Sequence, residues 1–262
     1  MTHAHGSVLE VRDVHVSFGG VKAVDGCAFE VAEGTITAVI GPNGAGKSTM
    51  VNIIAGVLRP SAGLVHFESV AIAGMPSYRI GRLGLIRTFQ LSREFGGLTV
   101  LENLLVPPPG QRGEKLWNAL VRPGVGRRED RTLVAKAQDV LDTFGLSGQR
   151  DEYARNLSGG QKRLLELARA VMAEPKFLML DEPMAGINPA LVGQLCSHMF
   201  RLRDQGMTLM IVEHNLAVVE ELCDHVIVMS EGRTLATGGM SELRANDAVV
   251  RAYLGSSVHA AR

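Results

Sequence analysis

The stretch Ile36-Thr37-Ala38-Val39-Ile40-Gly41-Pro42-Asn43-Gly44-Ala45-Gly46-Lys47-Ser48-Thr49 runs an apolar strand into a glycine-rich loop that fits the pattern G-x-x-x-x-G-K-[ST]. Gly41, Gly44 and Gly46 let the backbone turn with its amides pointing inward, so the loop and the helix start after it present N–H groups to an anion. Lys47 adds a cation suited to β and γ phosphates, and the Ser48 hydroxyl adds a ligand for Mg²⁺. Residues Gly41, Pro42, Asn43, Gly44, Ala45, Gly46, Lys47, Ser48 and Thr49 are therefore expected to hold a nucleoside triphosphate. The bland alternative is a glycine turn that merely joins a strand to a helix. Against it stand the apolar strand before the loop and the periodic residues Met50, Ile53, Ile54, Val57 and Leu58 after it, the context that phosphate binding requires.

Upstream, Val8, Glu10, Val11, Val14, Val16 and Phe18 alternate in the manner of a strand, Gly19-Gly20 marks a turn, and Ala28, Phe29 and Val31 continue the pattern, which predicts an antiparallel hairpin. Ser61-Ala62-Gly63 breaks the chain before a strand over Leu64–Phe67. From near Gln90 the pattern turns helical, with Leu98, Val100, Leu101, Leu104 and Leu105, then Leu133, Ala137, Val140, Leu141 and Phe144. Between these helices lie Pro107-Pro108-Pro109-Gly110 and an Arg-, Pro- and Gly-rich stretch over 112–131 around Trp117. That insertion reads either as a solvated loop with a short helix or as a partner contact through Trp117, Arg122, Arg127, Arg128 and Arg131.

After position 176 strands and helices alternate: strands over 177–181, 208–212 and 225–229, helices over 190–205 and from Leu216. Alternation of this kind implies a mostly parallel sheet with its ligand at the carboxyl ends of the strands. The expected fold class is α/β: a P-loop NTPase core, mostly parallel sheet with flanking helices, carrying an N-terminal antiparallel β subdomain and an inserted α-helical subdomain. The expected division is 1–92 for the antiparallel strands and first part of the core, 93–170 for the helical subdomain, 171–245 for the second part of the core and 246–262 for a C-terminal tail.

Two acids end the apolar run Phe177-Leu178-Met179-Leu180-Asp181-Glu182. Asp181 is placed to hold Mg²⁺ through water, and Glu182 to polarise an attacking water. Taken alone, a strand-end aspartate also fits a helix or turn cap; a P-loop in the same chain favours the metal. Leu157-Ser158-Gly159-Gly160-Gln161 precedes a helical run over 162–173. Ser158 is a good N-cap and the two glycines leave backbone amides open, so this helix start is a second anion site, although a lone S-G-G would read as an ordinary capped helix. His214 at the end of Ile211-Val212-Glu213 fits a satisfied core histidine as well as a ligand, and Phe18 by itself fits core.

Composition narrows the function classes. Lys plus Arg equal Asp plus Glu at 27 each, so no basic field of the kind used by non-specific nucleic-acid binders is present, and no nucleic-acid partner is expected. The 262 residues are 46% hydrophobic with 10 prolines, which suits a folded globule rather than disorder. Cys27, Cys196 and Cys223 form no C-x-x-C pair, which speaks against a disulfide framework or a zinc site; each is expected as a small buried apolar residue. His3 and His5 without a third ligand read as terminal tail. No signal-peptide pattern and no membrane-length apolar run is evident, so a cytoplasmic location is expected, with any membrane contact made through partners.

With loop, helix start, acids and histidine in that order, the chain resembles the nucleotide-binding subunit of ABC transporters from about Val8 to Leu254. In that resemblance the segment over 41–49 is similar to Walker A, the segment over 177–181 to Walker B, and Leu157, Ser158, Gly159, Gly160 and Gln161 to the family signature. Glu182 resembles the catalytic base, Gln90 in Arg87-Thr88-Phe89-Gln90 the glutamine that senses Mg²⁺ and water, and His214 the switch histidine that contacts the γ phosphate. Phe18 resembles the aromatic that stacks on adenine, where the family usually carries tyrosine. The resemblance implies ATP and Mg²⁺ as cofactors, with Ser48, Gln90 and Asp181 around the metal. It also implies a head-to-tail pair of ATPase subunits, each ATP lying between one P-loop and the other chain's Ser158 helix start.

Gly84-Leu85-Ile86-Arg87-Thr88-Phe89-Gln90, the segment over 181–189, the Trp117 insertion and the ending Ala252-Tyr253-Leu254-Gly255 resemble the larger ATPase of branched-chain amino acid importers. That resemblance implies a second, different ATPase subunit, two transmembrane permease subunits, a periplasmic substrate-binding protein, and a place at the inner face of the cell membrane. Asn188 stands where many family members carry aspartate, and the branched-chain group commonly shows Asn. Importers of urea, short amides or aromatic acids and a lipopolysaccharide exporter are neighbouring readings; a non-transport ABC protein fits less well, because those chains usually carry two cores or a long coiled coil.

Overall fold

The computed structural model describes residues 6–88, 94–106 and 123–259. Gln90, Trp117, Arg122, His3 and His5 lie outside the described residues. The principal elements, in order, are β1 (Ser7–Phe18), β2 (Val21–Ala32), β3 (Ile36–Ile40), α1 (Lys47–Ile54), β4 (Ala62–Phe67), β5 (Val70–Ala71), α2 (Ser77–Arg82), β6 (Leu85–Arg87), α3 (Val100–Leu105), α4 (Pro123–Thr143), α5 (Gly159–Met172), β7 (Phe177–Asp181), α6 (Pro189–Asp204), β8 (Thr208–Val212), α7 (Leu216–Leu222), β9 (His225–Ser230), β10 (Arg233–Gly238), α8 (Met240–Arg244) and α9 (Asp247–His259).

The chain divides into two compact units. The first comprises Met1–Arg87, Lys176–Met184 and Met199–Arg262 and holds both sheets. One sheet is antiparallel in the order β2-β1-β4-β5; the other has the order β10-β9-β3-β8-β7-β6. In the latter, β9, β3, β8, β7 and β6 run parallel, and β10 is antiparallel to β9. Every residue of β3, β7 and β8 is buried, as fits mainly apolar strands of a parallel sheet covered on both faces. Met50, Ile53 and Ile54 of α1 join Val11, Val14 and Phe67 of the antiparallel sheet and Met179, Met210 and Ile227 of the parallel one in a single core.

Three details depart from the sequence reading. The alternation in β1 slips between Val11 and Val14, both buried, because Asp13 takes a left-handed φ of 47° and forms a bulge. Helix α1 ends at Ile54, so Val57, 61% exposed, is not part of its apolar face. None of the three cysteines is in a disulfide, but Cys223 is only half-buried.

The second unit comprises Thr88–Pro175 and Ala185–His198. Its helices meet through Val100 and Leu104 of α3, Ala137 and Leu141 of α4, and Leu164, Leu165 and Ala168 of α5, all buried. Thr99 starts α3 with a capping box, its hydroxyl accepting from the Glu102 amide while the Glu102 carboxylate accepts from the Thr99 amide. Among the described residues no helix is long and apolar enough to cross a membrane.

Candidate nucleotide site

The candidate residues of the first unit gather because of strand order. Strands β3, β8, β7 and β6 are consecutive neighbours running the same way, so the loop after β3, His214 after β8, Asp181 and Glu182 at the end of β7, and Arg87 at the end of β6 share one edge. Adjacent strands lie about 4.8 Å apart, which brings residues distant in the chain within side-chain reach. This is the carboxyl edge where open parallel sheets take their ligands.

The glycine loop fits tightly into its surroundings. Gly41 has φ 151°, and a Cβ there would stand 2.1 Å from the Met229 carbonyl oxygen of β9. The turn after β9 holds the loop from the other side, with the Gly232 amide donating to the Ala45 carbonyl at 3.1 Å and the Asp25 amide to the Gly232 carbonyl at 2.9 Å. Lys47 is buried, and its Nζ donates to the carbonyls of Gly41 at 2.7 Å and Pro42 at 3.0 Å. Burial pushes the Lys47 ammonium below the usual lysine range, and the nearby carboxylates of Glu182 and Asp181 pull it partly back.

His214 Nε2 lies 2.8 Å from Glu182 Oε1. Glu182 holds a left-handed φ of 48°, its amide donating to the Val212 carbonyl at 2.9 Å. Such a backbone is costly for a residue with a Cβ and is found where the surroundings dictate it. The neighbouring Glu213, 4% exposed, accepts from the Met184 amide at 3.0 Å through Oε1 and from the His214 amide at 3.1 Å through Oε2. One buried carboxylate thus fastens the segment after Glu182 to the segment carrying His214. Asn215 caps α7 by accepting from the amides of Ala217 and Val218.

Asp181, 6% exposed, accepts from Arg87 Nη2 at 2.8 Å, and Arg87 Nη1 donates to Asn52 Oδ1 at 2.6 Å. Sequence reading passed over Arg87 and Glu213. Neither carries a local signature, because their partners lie 94 and 29 residues away. Phe18 is 52% exposed at the end of β1 and therefore is not core.

In the second unit Ser158 caps α5. Its hydroxyl accepts from the Gln161 amide, and Gln161 Oε1 accepts from the Ser158 amide at 2.9 Å. The S-x-x-Q spacing that announces this reciprocal cap was legible in the sequence. Gly159 faces open space, whereas a Cβ on Gly160 would stand 2.0 Å from Leu191 Cδ1.

Among the described residues no three His, Cys, Asp or Glu side chains form a protein-only metal cage. The Ser48 hydroxyl at the start of α1 and the Asp181 carboxylate are hard oxygen donors, and a donor set of one carboxylate completed by substrate phosphates and water is what Mg²⁺ takes. The residues fit that ion.

A family model described as ABC transporter matches residues 24–185. The chain is 40% identical over 249 residues to the probable branched-chain amino acid transport ATP-binding protein LivG of Archaeoglobus fulgidus, covering 95% of this chain and 96% of that relative. It is 37% identical over 251 residues to the high-affinity branched-chain amino acid transport ATP-binding protein BraF of Pseudomonas aeruginosa, covering 95% and 98%. A crystal structure of a nucleotide-free ATP-binding cassette from an ABC transporter superposes with a TM-score of 0.81 at 35% identity, covering 95% of this chain and 99% of that one.

Proposed function

The chain belongs to the ABC transporter family, and from that premise we propose that it is the ATP-binding, ATP-hydrolysing subunit of an importer for branched-chain or other hydrophobic amino acids. The observation that carries the reading is the meeting of Lys47, Glu182 and His214 at one sheet edge, with Glu182 and His214 2.8 Å apart. Relatives at 36–40% identity are transport ATP-binding proteins for branched-chain amino acids, which supports the substrate class.

On ATP binding, Lys47 exchanges the carbonyls of Gly41 and Pro42 for phosphate oxygens, and the loop amides over 41–49 surround the phosphates. Phe18 stacks on adenine. Ser48, Asp181 and Gln90 would hold Mg²⁺, which would supply charge neutralisation at the phosphate oxygens. Glu182 accepts a proton as water oxygen bonds to the γ phosphorus and the bond to the leaving ADP oxygen breaks; His214 holds the Glu182 carboxylate in line.

The residues Leu157, Ser158, Gly159, Gly160 and Gln161 serve the ATP of a second ATPase subunit, since a capped helix start with an open Gly159 suits a phosphate brought from outside the chain. That second subunit is a different chain, and closure of the pair on ATP drives two permease subunits fed by a periplasmic binding protein. The chain works at the inner face of the cell membrane and touches the membrane only through the permease.

The test is reconstitution with the partner ATPase, permease subunits and binding protein in lipid vesicles. Leucine, isoleucine or valine should stimulate ATP hydrolysis and enter the vesicles in an ATP-dependent manner. Stimulation by urea, short amides or aromatic acids instead would overturn the substrate class, and absence of ATP hydrolysis would overturn the whole reading.

A further inference from the structure

Arg87 joins two elements that carry the oxygen donors around the γ-phosphate end of the site. Its position on β6 lies opposite Met179 of β7, so the side chain can reach two residues further along β7 to Asp181. The guanidinium there forms a fork, with Nη2 2.8 Å from Asp181 Oδ2 and Nη1 2.6 Å from Asn52 Oδ1. Asn52 sits on α1 four residues after Ser48, on the same helical face one turn on. The arginine and aspartate side chains are only 14% and 7% exposed, so water does not hold this geometry in their place.

We infer that Arg87 is a positioning residue for Mg²⁺-ATP, a brace that sets the spacing between the Asp181 carboxylate on β7 and the Ser48 hydroxyl on α1. The inference rests on the ATPase reading above. A planar guanidinium suits this task because its two donors are fixed relative to one another, whereas an ammonium offers a single point charge that cannot span both acceptors. Groups that orient metal ligands through hydrogen bonds shape affinity nearly as strongly as the ligands do, and their loss commonly weakens metal binding 10- to 100-fold. Arg87 thus acts on the metal-dependent part of nucleotide binding and leaves the loop's own grip on phosphate intact.

The experiment titrates the full-length protein with a fluorescent trinitrophenyl-ATP, once in EDTA and once over a series of free Mg²⁺ concentrations. Wild type, Arg87→Ala, Arg87→Lys and Asn52→Ala are compared, with nucleotide-free thermal melts as a fold control. In Arg87→Ala and Arg87→Lys the free Mg²⁺ needed for half-maximal tightening should rise about tenfold or more, while the affinity in EDTA stays within about twofold of wild type. Asn52→Ala should shift the Mg²⁺ requirement the same way but less. Arg87→Lys and Asn52→Ala decide the matter if Arg87→Ala does not fold, because both retain a cation beside Asp181. An unchanged Mg²⁺ requirement, or equal weakening with and without Mg²⁺, would overturn the brace. Wild-type protein that bound no nucleotide would instead overturn the ATPase reading and the brace with it.

Discussion

Glu182 and His214 touch through Oε1 and Nε2 at 2.8 Å across 32 residues of chain. The contact exists because β7 and β8 are parallel neighbours whose last residues, Asp181 and Val212, stand in register. Glu182→Gln keeps the hydrogen bond to histidine but loses the proton acceptor. Turnover should fall by about 10²- to 10⁴-fold with ATP binding intact. Single-turnover hydrolysis and size-exclusion chromatography with ATP check this, and unchanged hydrolysis would remove Glu182 from the role of base.

Glu213 binds two backbone amides with one carboxylate. Glu213→Ala leaves both amides unsatisfied in a buried setting, a loss of about 1–3 kcal/mol for each. Glu213→Gln keeps one carbonyl acceptor and should lose about half as much. Urea unfolding gives the stabilities; equal stability of the alanine variant and wild type would show that the clamp carries no weight.

At Gly160 two effects oppose each other. Alanine in place of glycine favours a helix by up to about 1 kcal/mol, but its Cβ would push aside the Leu191 Cδ1 methyl group. Gly160→Ala should therefore gain less stability than the same change in a Leu191→Ala background. A double-mutant cycle by urea unfolding reads the difference, and equal effects in both backgrounds contradict the contact.

The Tyr253 hydroxyl titrates at about 12, raised by burial and drawn slightly back by a backbone hydrogen bond with Gly41. Its folded value lies above the ordinary value of 10.0, so its contribution to stability is full below pH 10 and is lost as pH rises towards 12. Tyr253→Phe should flatten the alkaline fall in the urea midpoint between those limits. An identical alkaline slope in the variant would dissociate Tyr253 from it.

The parts of the site that were legible in the sequence are those whose chemistry is local. A glycine loop after a buried strand, two acids at a strand end and a serine before two glycines each declare themselves within a few residues. Arg87, Asn52 and Glu213 did not, because their meaning depends on which strands become neighbours, and an apolar five-residue run does not state its position in a sheet. The bulge at Asp13 escaped for a related reason: hydrophobic alternation assumes a regular pleat, and one left-handed residue shifts every side chain after it. The end of α1 before Val57 follows from Gly56, whose φ of 69° stops the helix.

Strand β3, which launches the nucleotide loop, pairs on one side with β8 and on the other with β9, and both are specified only after residue 207. A ribosome making this chain therefore releases an apolar strand some 170 residues before either neighbour exists. Until then the emerging polypeptide carries a hydrophobic strand with two bare edges, a state open to aggregation and to chaperone capture. The loop that identifies the protein is translated long before the strands that complete its surroundings.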